Sequence, residues 1–328
     1  MGACLEGHLV SSKIPVTVLM AVWQTPRVEL AQAVDSILLQ TFRDFEFLIV
    51  DDGNTDEELC QRLADCAAAD PRIRLARKPH RGLTVSLHRG VELARGEFIA
   101  RQDADDWSAP ERLERQLAFF QARPSAVLCG TNAWMHQQNG RPLWRTRLPQ
   151  THAEIEAALD RGNPFVHGST MFRKRAALDA GSYRTEFKCS QDYDLFWRLA
   201  ERGETANLGD PLYRYRFSGG SVSAGKAEGQ ALAHHAAKIL AALRRQGQAE
   251  NVAQAWAQAA RIMEREGGRY RALLKQADHR MLAGDYGSAW RAYRDVLAAR
   301  PASPLAWAKL ARLGVFLGVP PAREACFR

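Results

Sequence analysis

No apolar stretch in this chain of 328 residues approaches the roughly 18 to 20 residues needed to span a bilayer as a helix, so no membrane-spanning helix is expected. The first fifteen residues carry too short an apolar run for a secretory signal, so the expected compartment is the cytoplasm. Cysteine is scarce. Cys4, Cys60, Cys66, Cys129, Cys189 and Cys326 show no C-x-x-C spacing and are too sparse for a disulfide framework, so reduced thiols are expected. An excess of one charge is also missing from most of the chain. The net +8 invites a nucleic-acid partner, yet residues 1–225 hold 28 Lys+Arg against 29 Asp+Glu. Residues 226–328 hold 17 against 8, so the basicity belongs to the tail and no nucleic-acid partner is expected.

What is present is ordinary globular material, 46% hydrophobic and 25% charged, enough for a sizeable core. Val16 to Val22 and Phe45 to Val50 are β-branched or apolar runs of the kind found in covered parallel sheets. Between them Leu30, Val34, Ile37 and Leu38 recur at helical spacing, completing a βαβ unit. Helices over about 56–69 and 84–94 lead to Ile73-Arg74-Leu75 and to Phe98-Ile99-Ala100. The alternation predicts an α/β fold with a doubly wound, mostly parallel sheet and right-handed crossovers. Beyond it lie a helix to about Gln121, a strand around Ala126 to Cys129, and a more irregular stretch holding Trp134 and Trp144. From about Ala227 the chain turns Ala-, Arg- and Gln-rich with helical periodicity throughout. Gly284-Asp285-Tyr286, Ala289, Tyr293 and Pro301 follow the spacing of a tetratricopeptide helix pair. The expected organisation is an extension over 1–13, an α/β domain over 14–225 with its end marked by Ser218-Gly219-Gly220-Ser221, and an all-helical region over 226–328.

Two acidic clusters fall at predicted strand ends, where open α/β sheets bind ligands. Asp51-Asp52-Gly53 follows the second strand, and Asp103-Ala104-Asp105-Asp106 follows the fourth. Three carboxylates in four positions raise one another's pKa or require a cation, and a hard divalent metal that also holds phosphate oxygens meets that need. The competing reading is a helix start, in which Ser108 and Glu111 form a capping box before Leu113 and Leu117. It leaves Asp103 and Asp105 unexplained. A third acidic site, Gln191-Asp192-Tyr193-Asp194, opens a helix, where the dipole alone would favour Asp192.

Together these segments resemble glycosyltransferase family 2, enzymes of the GT-A fold. The resemblance is carried by Ser36-Ile37-Leu38-Leu39-Gln40-Thr41-Phe42 through Asp51-Asp52-Gly53, by Arg95-Gly96-Glu97-Phe98 through Asp103-Ala104-Asp105-Asp106, by Pro110-Glu111-Arg112-Leu113, and by Gln191-Asp192-Tyr193-Asp194-Leu195, over about residues 14–225. It implies metal-dependent, inverting transfer of a sugar from a nucleotide-sugar donor, by preference UDP-linked, to an acceptor hydroxyl in surface glycan synthesis. It also implies roles residue by residue: Asp52 on the base, Asp103 near the ribose, Asp105 on a Mn²⁺ or Mg²⁺ bridging the diphosphate, and Asp192 as general base. Ala21 and Trp23 sit at the end of the first strand on the donor side, where Trp23 either stacks on the base or packs in the core. Arg81 either reaches the diphosphate or is a solvated surface arginine. His167, in the segment that resembles the region beneath the acceptor, and Gln191 are candidate acceptor or phosphate contacts. Most histidines in such a place are structural.

Three departures stand out. Gln191 replaces a frequent acid before the base, His88 replaces a common Asn, and Tyr213 to Ser218 lacks a histidine that would supply a third metal ligand. A Q-x-x-R-W motif is absent, so one sugar is expected per encounter. The alternatives are a sugar-phosphate nucleotidyltransferase, disfavoured because the loop Trp23-Gln24-Thr25-Pro26-Arg27 has no glycine, and a non-catalytic binding module acting through its helical tail. The expected partners are the donor, a glycan or lipid-linked acceptor and, through the basic tail, either solvent alone or the inner face of the plasma membrane. A second copy of the chain is also a candidate partner.

Overall fold

A computed structural model describes residues 14–218, 227–265 and 267–316. The extension over 1–13 and the Gly219-Gly220-Ser221 break lie outside the described residues. Four strands, β1 (Val16–Val22), β2 (Phe45–Asp51), β3 (Ile73–Arg77) and β4 (Phe98–Asp103), alternate with helices α1 (Arg27–Leu38), α2 (Glu57–Ala69) and α3 (Leu83–Leu93). All four strands are parallel in the order β3-β2-β1-β4. Period-two alternation then divides β1 between two cores. Val16, Val18, Met20 and Val22 pack with Leu30, Val34, Ile37 and Leu59 on one face, while Leu19 meets Leu87 and Val91 on the other.

The second half of the sheet is mixed. It contains β5 (Trp107–Ser108), α4 (Arg112–Ala122), β6 (Ala126–His136), β7 (Pro142–Arg145), α5 (His152–Leu159), a 3₁₀ turn at His167–Ser169, β8 (Met171–Arg173), α6 (Lys174–Asp179), α7 (Gln191–Ala200) and β9 (Glu204–Arg216). The sheet continues β4-β8-β6-β9-β5, with β7 paired to β6. Two expectations are corrected here. The stretch holding Trp134 and Trp144 is not irregular but forms β6 and β7, a hairpin turned at Gly140, whose φ is +85°. Ser108 does not cap a helix: it lies in β5, and its hydroxyl donates to Gln102 Oε1 at 2.6 Å. The following helix starts at Arg112 without a side-chain cap.

Five helices complete the described chain: α8 (Ala227–Arg245), α9 (Val252–Arg265), α10 (Gly268–Ala283), α11 (Tyr286–Ala299) and α12 (Pro304–Phe316). Small residues on α8 and α9, among them Ala233, Ala236, Ala237, Ala255 and Ala259, enter the same buried cluster as α7. Arg244 pairs with Glu201 at 2.6 Å, and the Arg245 guanidinium lies 4.4 Å from the Trp197 ring centre. The last three helices have a core of their own around Ala277, Ala289, Tyr293, Val296 and Leu310. Among the described residues no helix is long and apolar enough to cross a membrane.

Candidate active site

Strand register brings the carboxyl ends of β1, β2 and β4 level. Ala21 stands opposite both Val50 and Asp103, and Val22 opposite Asp51. Register therefore sets Ala21 and Asp103, at the ends of β1 and β4, beside the loops that hold Trp23, Asp52 and Asp105 at one edge of the sheet.

Asp52 is buried and organises the loop after β3. Its Oδ1 accepts from Lys78 Nζ and, at 3.0 Å, from the Arg81 amide, and its Oδ2 accepts from the Gly82 amide at 2.9 Å. Burial alone would raise this carboxyl, but the bonds from Lys78 and Arg81 outweigh it and hold the pKa below the usual value. Gly53 is required beside it, because its φ is +78° and a Cβ there would lie 2.5 Å from the His80 amide. Trp23 is not a core residue. It stacks on His80 at 3.7 Å between ring centres and stays 37% exposed. Arg81 is exposed at the mouth of the same loop.

The acidic cluster after β4 is built on a buried cation that the sequence reading missed. Arg101 is fully buried and donates to Leu19 O at 2.5 Å, to Asp103 Oδ1 at 2.6 Å and to His167 Nε2 at 3.3 Å. Asp103 is held further by its backbone amide, which donates to the Tyr213 hydroxyl at 3.1 Å. Asp106 is buried away from the crevice and accepts the Arg216 amide at 2.7 Å, tying the cluster to β9. Burial, then the charges of Asp105 and Asp103, push its carboxyl well up. Asp105 differs from both. No other described residue donates to its carboxylate, and burial followed by the Asp103 charge pushes it up to about 6.

The opposite wall starts at the N-terminus of α7. Asp192 accepts from Asn163 Nδ2 at 2.7 Å, and its carboxyl is raised by burial and, against the hydrogen bonds it accepts, by the field of Asp103. Gln191 beside it is buried. Between the two acidic walls sit Tyr183 and His167. The Tyr183 hydroxyl is 2.9 Å from His167 Nε2, and the charges of both Asp192 and Asp103 act on Tyr183. Burial and then Arg101 drive the His167 pKa far down, which favours the neutral imidazole, and the single lone pair of Nε2 is shared between the Arg101 N–H and the nearby Tyr183 hydroxyl. His167 is thus occupied by protein partners. His88, the departure in α3, bonds Tyr183 O through Nδ1 at 3.0 Å.

Backbone strain marks the same places. Among the described residues, the three non-glycines with positive φ are Gln24, Ser182 and Ser190, at 48°, 55° and 53°. Each is next to a crevice residue: Trp23, Tyr183 and Gln191. Such backbone persists only where the surroundings over-determine it.

Among the described residues no three acidic, histidine or cysteine side chains converge into a closed metal cage. The donor set fits a shared site instead. The unengaged Asp105 carboxylate, with Asp103 beside it, offers hard oxygens to a cation whose remaining ligands are phosphate oxygens and water, the usual arrangement for Mg²⁺.

Comparison with known proteins gives the same answer from outside the chain. Residues 17–181 match the family model described as Glycosyl transferase family 2. The putative glycosyltransferase EpsE of Bacillus subtilis is 34% identical over 207 residues, 61% of this chain and 72% of EpsE. The amylovoran biosynthesis glycosyltransferase AmsE of Erwinia amylovora is 31% identical over 202 residues, 61% of this chain and 75% of AmsE. In structure, S. aureus TarS 1–349 in complex with UDP-GlcNAc superposes with a TM-score of 0.60 at 17% identity, over 93% of this chain and 92% of that one. Mannosyltransferase PcManGT from Pyrobaculum calidifontis, in complex with GDP-Man and Mn²⁺, gives 0.55 at 18% identity, over 94% and 81%. The fold is GT-A, and the chain belongs to glycosyl transferase family 2.

Proposed function

We propose that this glycosyltransferase is a metal-dependent, inverting and non-processive hexosyltransferase that moves a sugar from a UDP-linked donor to an acceptor hydroxyl during surface polysaccharide synthesis. The observation that carries the reading is electrostatic. Asp105 and Asp192 both have carboxyl pKa values raised by burial and by the Asp103 charge, and no cationic side chain among the described residues hydrogen-bonds either carboxylate; the Arg216 charge near Asp105 only partly offsets the rise.

Asp192 would accept the proton of the acceptor hydroxyl as that oxygen attacks the anomeric carbon. The bond from that carbon to the diphosphate oxygen breaks on the far side, which inverts the configuration. A raised carboxyl pKa brings the base closer to working pH, and general-base help of this kind is worth about 10²–10⁴-fold. A divalent ion on Asp105 would neutralise the charge that develops on the leaving diphosphate. Arg101 and Tyr213 keep Asp103 at the floor of the donor side, Trp23 offers a ring face at its mouth, and Arg81 lies within the loop that Asp52 fixes. Support for the donor class comes from the complexes of the two structural neighbours, and for the pathway class from the name of AmsE.

The test is a panel of nucleotide sugars with Mn²⁺, read by release of nucleoside diphosphate. Asp105→Ala should abolish metal-dependent turnover. Asp192→Asn should keep donor binding while losing transfer to an acceptor. Full activity in either variant would sink the assignment.

A further inference from the structure

The strand pairing lays one row of side chains across four strands. Arg145 on β7 stands opposite Trp134 on β6, Trp134 opposite Arg214 on β9, and Arg214 opposite Trp107 on β5. Paired residues in register point to the same face, so these four form a continuous alternation of arginine and tryptophan. At about 4.8 Å per strand it runs roughly 14 Å. The next pair along β6 and β9, His136 and Arg216, lies on that face too. Tyr213 and Tyr215 take the opposite face.

Neither Arg145 nor Arg214 makes an ion pair among the described residues, yet both are held in place. Arg145 donates to Gly209 O at 2.6 Å, and the Arg214 guanidinium lies 4.1 Å from the Trp107 ring centre. The cations are thus pre-ordered by backbone and ring, and their charge is left unneutralised. Arg214 and Arg216 together depress the His136 pKa, which burial lowers first. Trp134 stays 40% exposed, a large ring with no core to fill. At one end the row meets the active site. Trp107 directly follows Asp106, and Arg216 Nε donates to Asp105 O at 3.0 Å.

An exposed Trp134 ring and a half-buried Trp107 ring, alternating with fixed guanidinium groups that make no ion pair, suit a ligand with flat apolar faces and regularly spaced anions. A lipid surface would favour longer apolar side chains and mobile lysines over a rigid ladder, and a duplex would need a broader basic field than this nearly neutral part of the chain provides. We propose that the Arg145–Trp134–Arg214–Trp107 row binds an acidic oligosaccharide, the growing end of a carboxylate- or phosphate-bearing acceptor glycan, and leads it to the crevice. This rests on the proposed glycosyl transfer, and it specifies the acceptor class.

The experiment is calorimetric titration of the full chain, without donor or metal, with a hexasaccharide of galacturonic acid, a phosphorylated mannose pentasaccharide and neutral maltohexaose. The two acidic probes separate carboxylate from phosphate as the recognised anion. At least one should bind, at least about tenfold tighter than maltohexaose, with affinity falling as salt rises. Arg214→Gln and Trp134→Ala should each weaken that binding about tenfold or more. Arg175→Gln, an exposed arginine on α6, serves as the charge-matched control and should bind as the parent does. Arg214 is exposed, so its variant remains informative if the tryptophan variant does not fold. The proposal is overturned if neither acidic probe binds, if maltohexaose binds as well, or if Arg214→Gln binds like the parent. It is equally overturned if anionic vesicles or duplex DNA bind through these residues while the saccharides do not. UDP binding with Mn²⁺, measured separately, reports on the donor site, so failure of the glycosyl-transfer reading is distinguishable from failure of this one.

Discussion

Replacing Gly168 by alanine tests whether the floor of the donor side is as tightly built as its geometry implies. A Cβ at this position would lie 2.0 Å from the Tyr213 hydroxyl oxygen, 2.5 Å from Cζ and 2.7 Å from Asp103 Oδ2. Ordinary contact begins near 3.4 Å, so the tyrosine would have to retreat by more than an ångström. It has nowhere to go. Tyr213 is fully buried, Arg112 lies 5.6 Å from its ring centre, and its hydroxyl accepts the Asp103 amide. Overpacking of this kind costs about 1–3 kcal/mol, and losing the Asp103 bond adds about 0.5–1.5 kcal/mol. Gly168→Ala should therefore lose about 1.5–4.5 kcal/mol in urea unfolding with an unchanged m value, and its donor KM should rise because Asp103 shifts. Tyr213→Phe removes the nearest clashing atom, at the expense of leaving the Asp103 amide unpaired. The double variant should be less destabilised than the sum of the two single ones, with a coupling of about 0.5–3 kcal/mol. Strict additivity, or a Gly168→Ala protein with parental stability and donor KM, would refute the reasoning.

The remaining predictions concern charge. With Asp192 as the proposed base, the acid limb of kcat/KM should lie above the usual carboxylate range, and it should move further up in Asn163→Ala, since Asn163 stabilises the ionised form. A limb that stays put in Asn163→Ala would remove Asp192 from that role. Arg101→Met leaves Asp103 without its cation and should cost about 3–5 kcal/mol in urea unfolding, while the His167 resonance titrates at higher pH than in the parent. An unmoved His167 titration would contradict the contact. In EDTA, Asp105 is raised from 3.8 to about 6, so its ionisation destabilises the fold. That cost is absent below about pH 4, grows as pH rises towards about 6, and is complete above it. Asp105→Asn should then be more stable than the parent by up to about 3 kcal/mol at neutral pH and no more stable in acid. Added Mn²⁺ with UDP should reverse the order, because only the parent gains binding energy.

Much of this architecture is legible from local signals, and the parts that are not have a common cause. The apolar runs of β1 and β2, the helix spacing of α1 and the position of Asp51-Asp52-Gly53 are properties of short windows, and the first sheet half follows from them. Arg101, Tyr183 and Tyr213 act through contacts between residues 16 to 110 positions apart, which no window contains. One signal for Arg101 is visible afterwards: a charged residue inside an otherwise apolar strand, two positions before an acidic cluster. Ser182 and Ser190 adopt left-handed backbone without being glycine, so no residue type announces them. The β6–β7 hairpin is hidden for another reason. Only its turn end and β7 are exposed, and β6 is paired along its length with β9, nearly eighty residues later.

Sequence offers four aspartates in the crevice and no means of ranking them, whereas their surroundings separate them into two pairs. Asp52 has Lys78 and two backbone amides, and Asp103 has Arg101 and the Tyr213 hydroxyl at its own amide. These two are compensated from within the protein, so a ligand gains little by neutralising them, and their natural task is to hold loops and shape. Among the described residues neither Asp105 nor Asp192 has a cation hydrogen-bonded to its carboxylate, and both are raised, Asp105 in spite of the Arg216 charge nearby. A carboxylate left in that condition is destabilising until something arrives, a cation in one case and a proton in the other. Under the proposed function, the free energy stored in the two raised groups is released only when donor, metal and acceptor are bound.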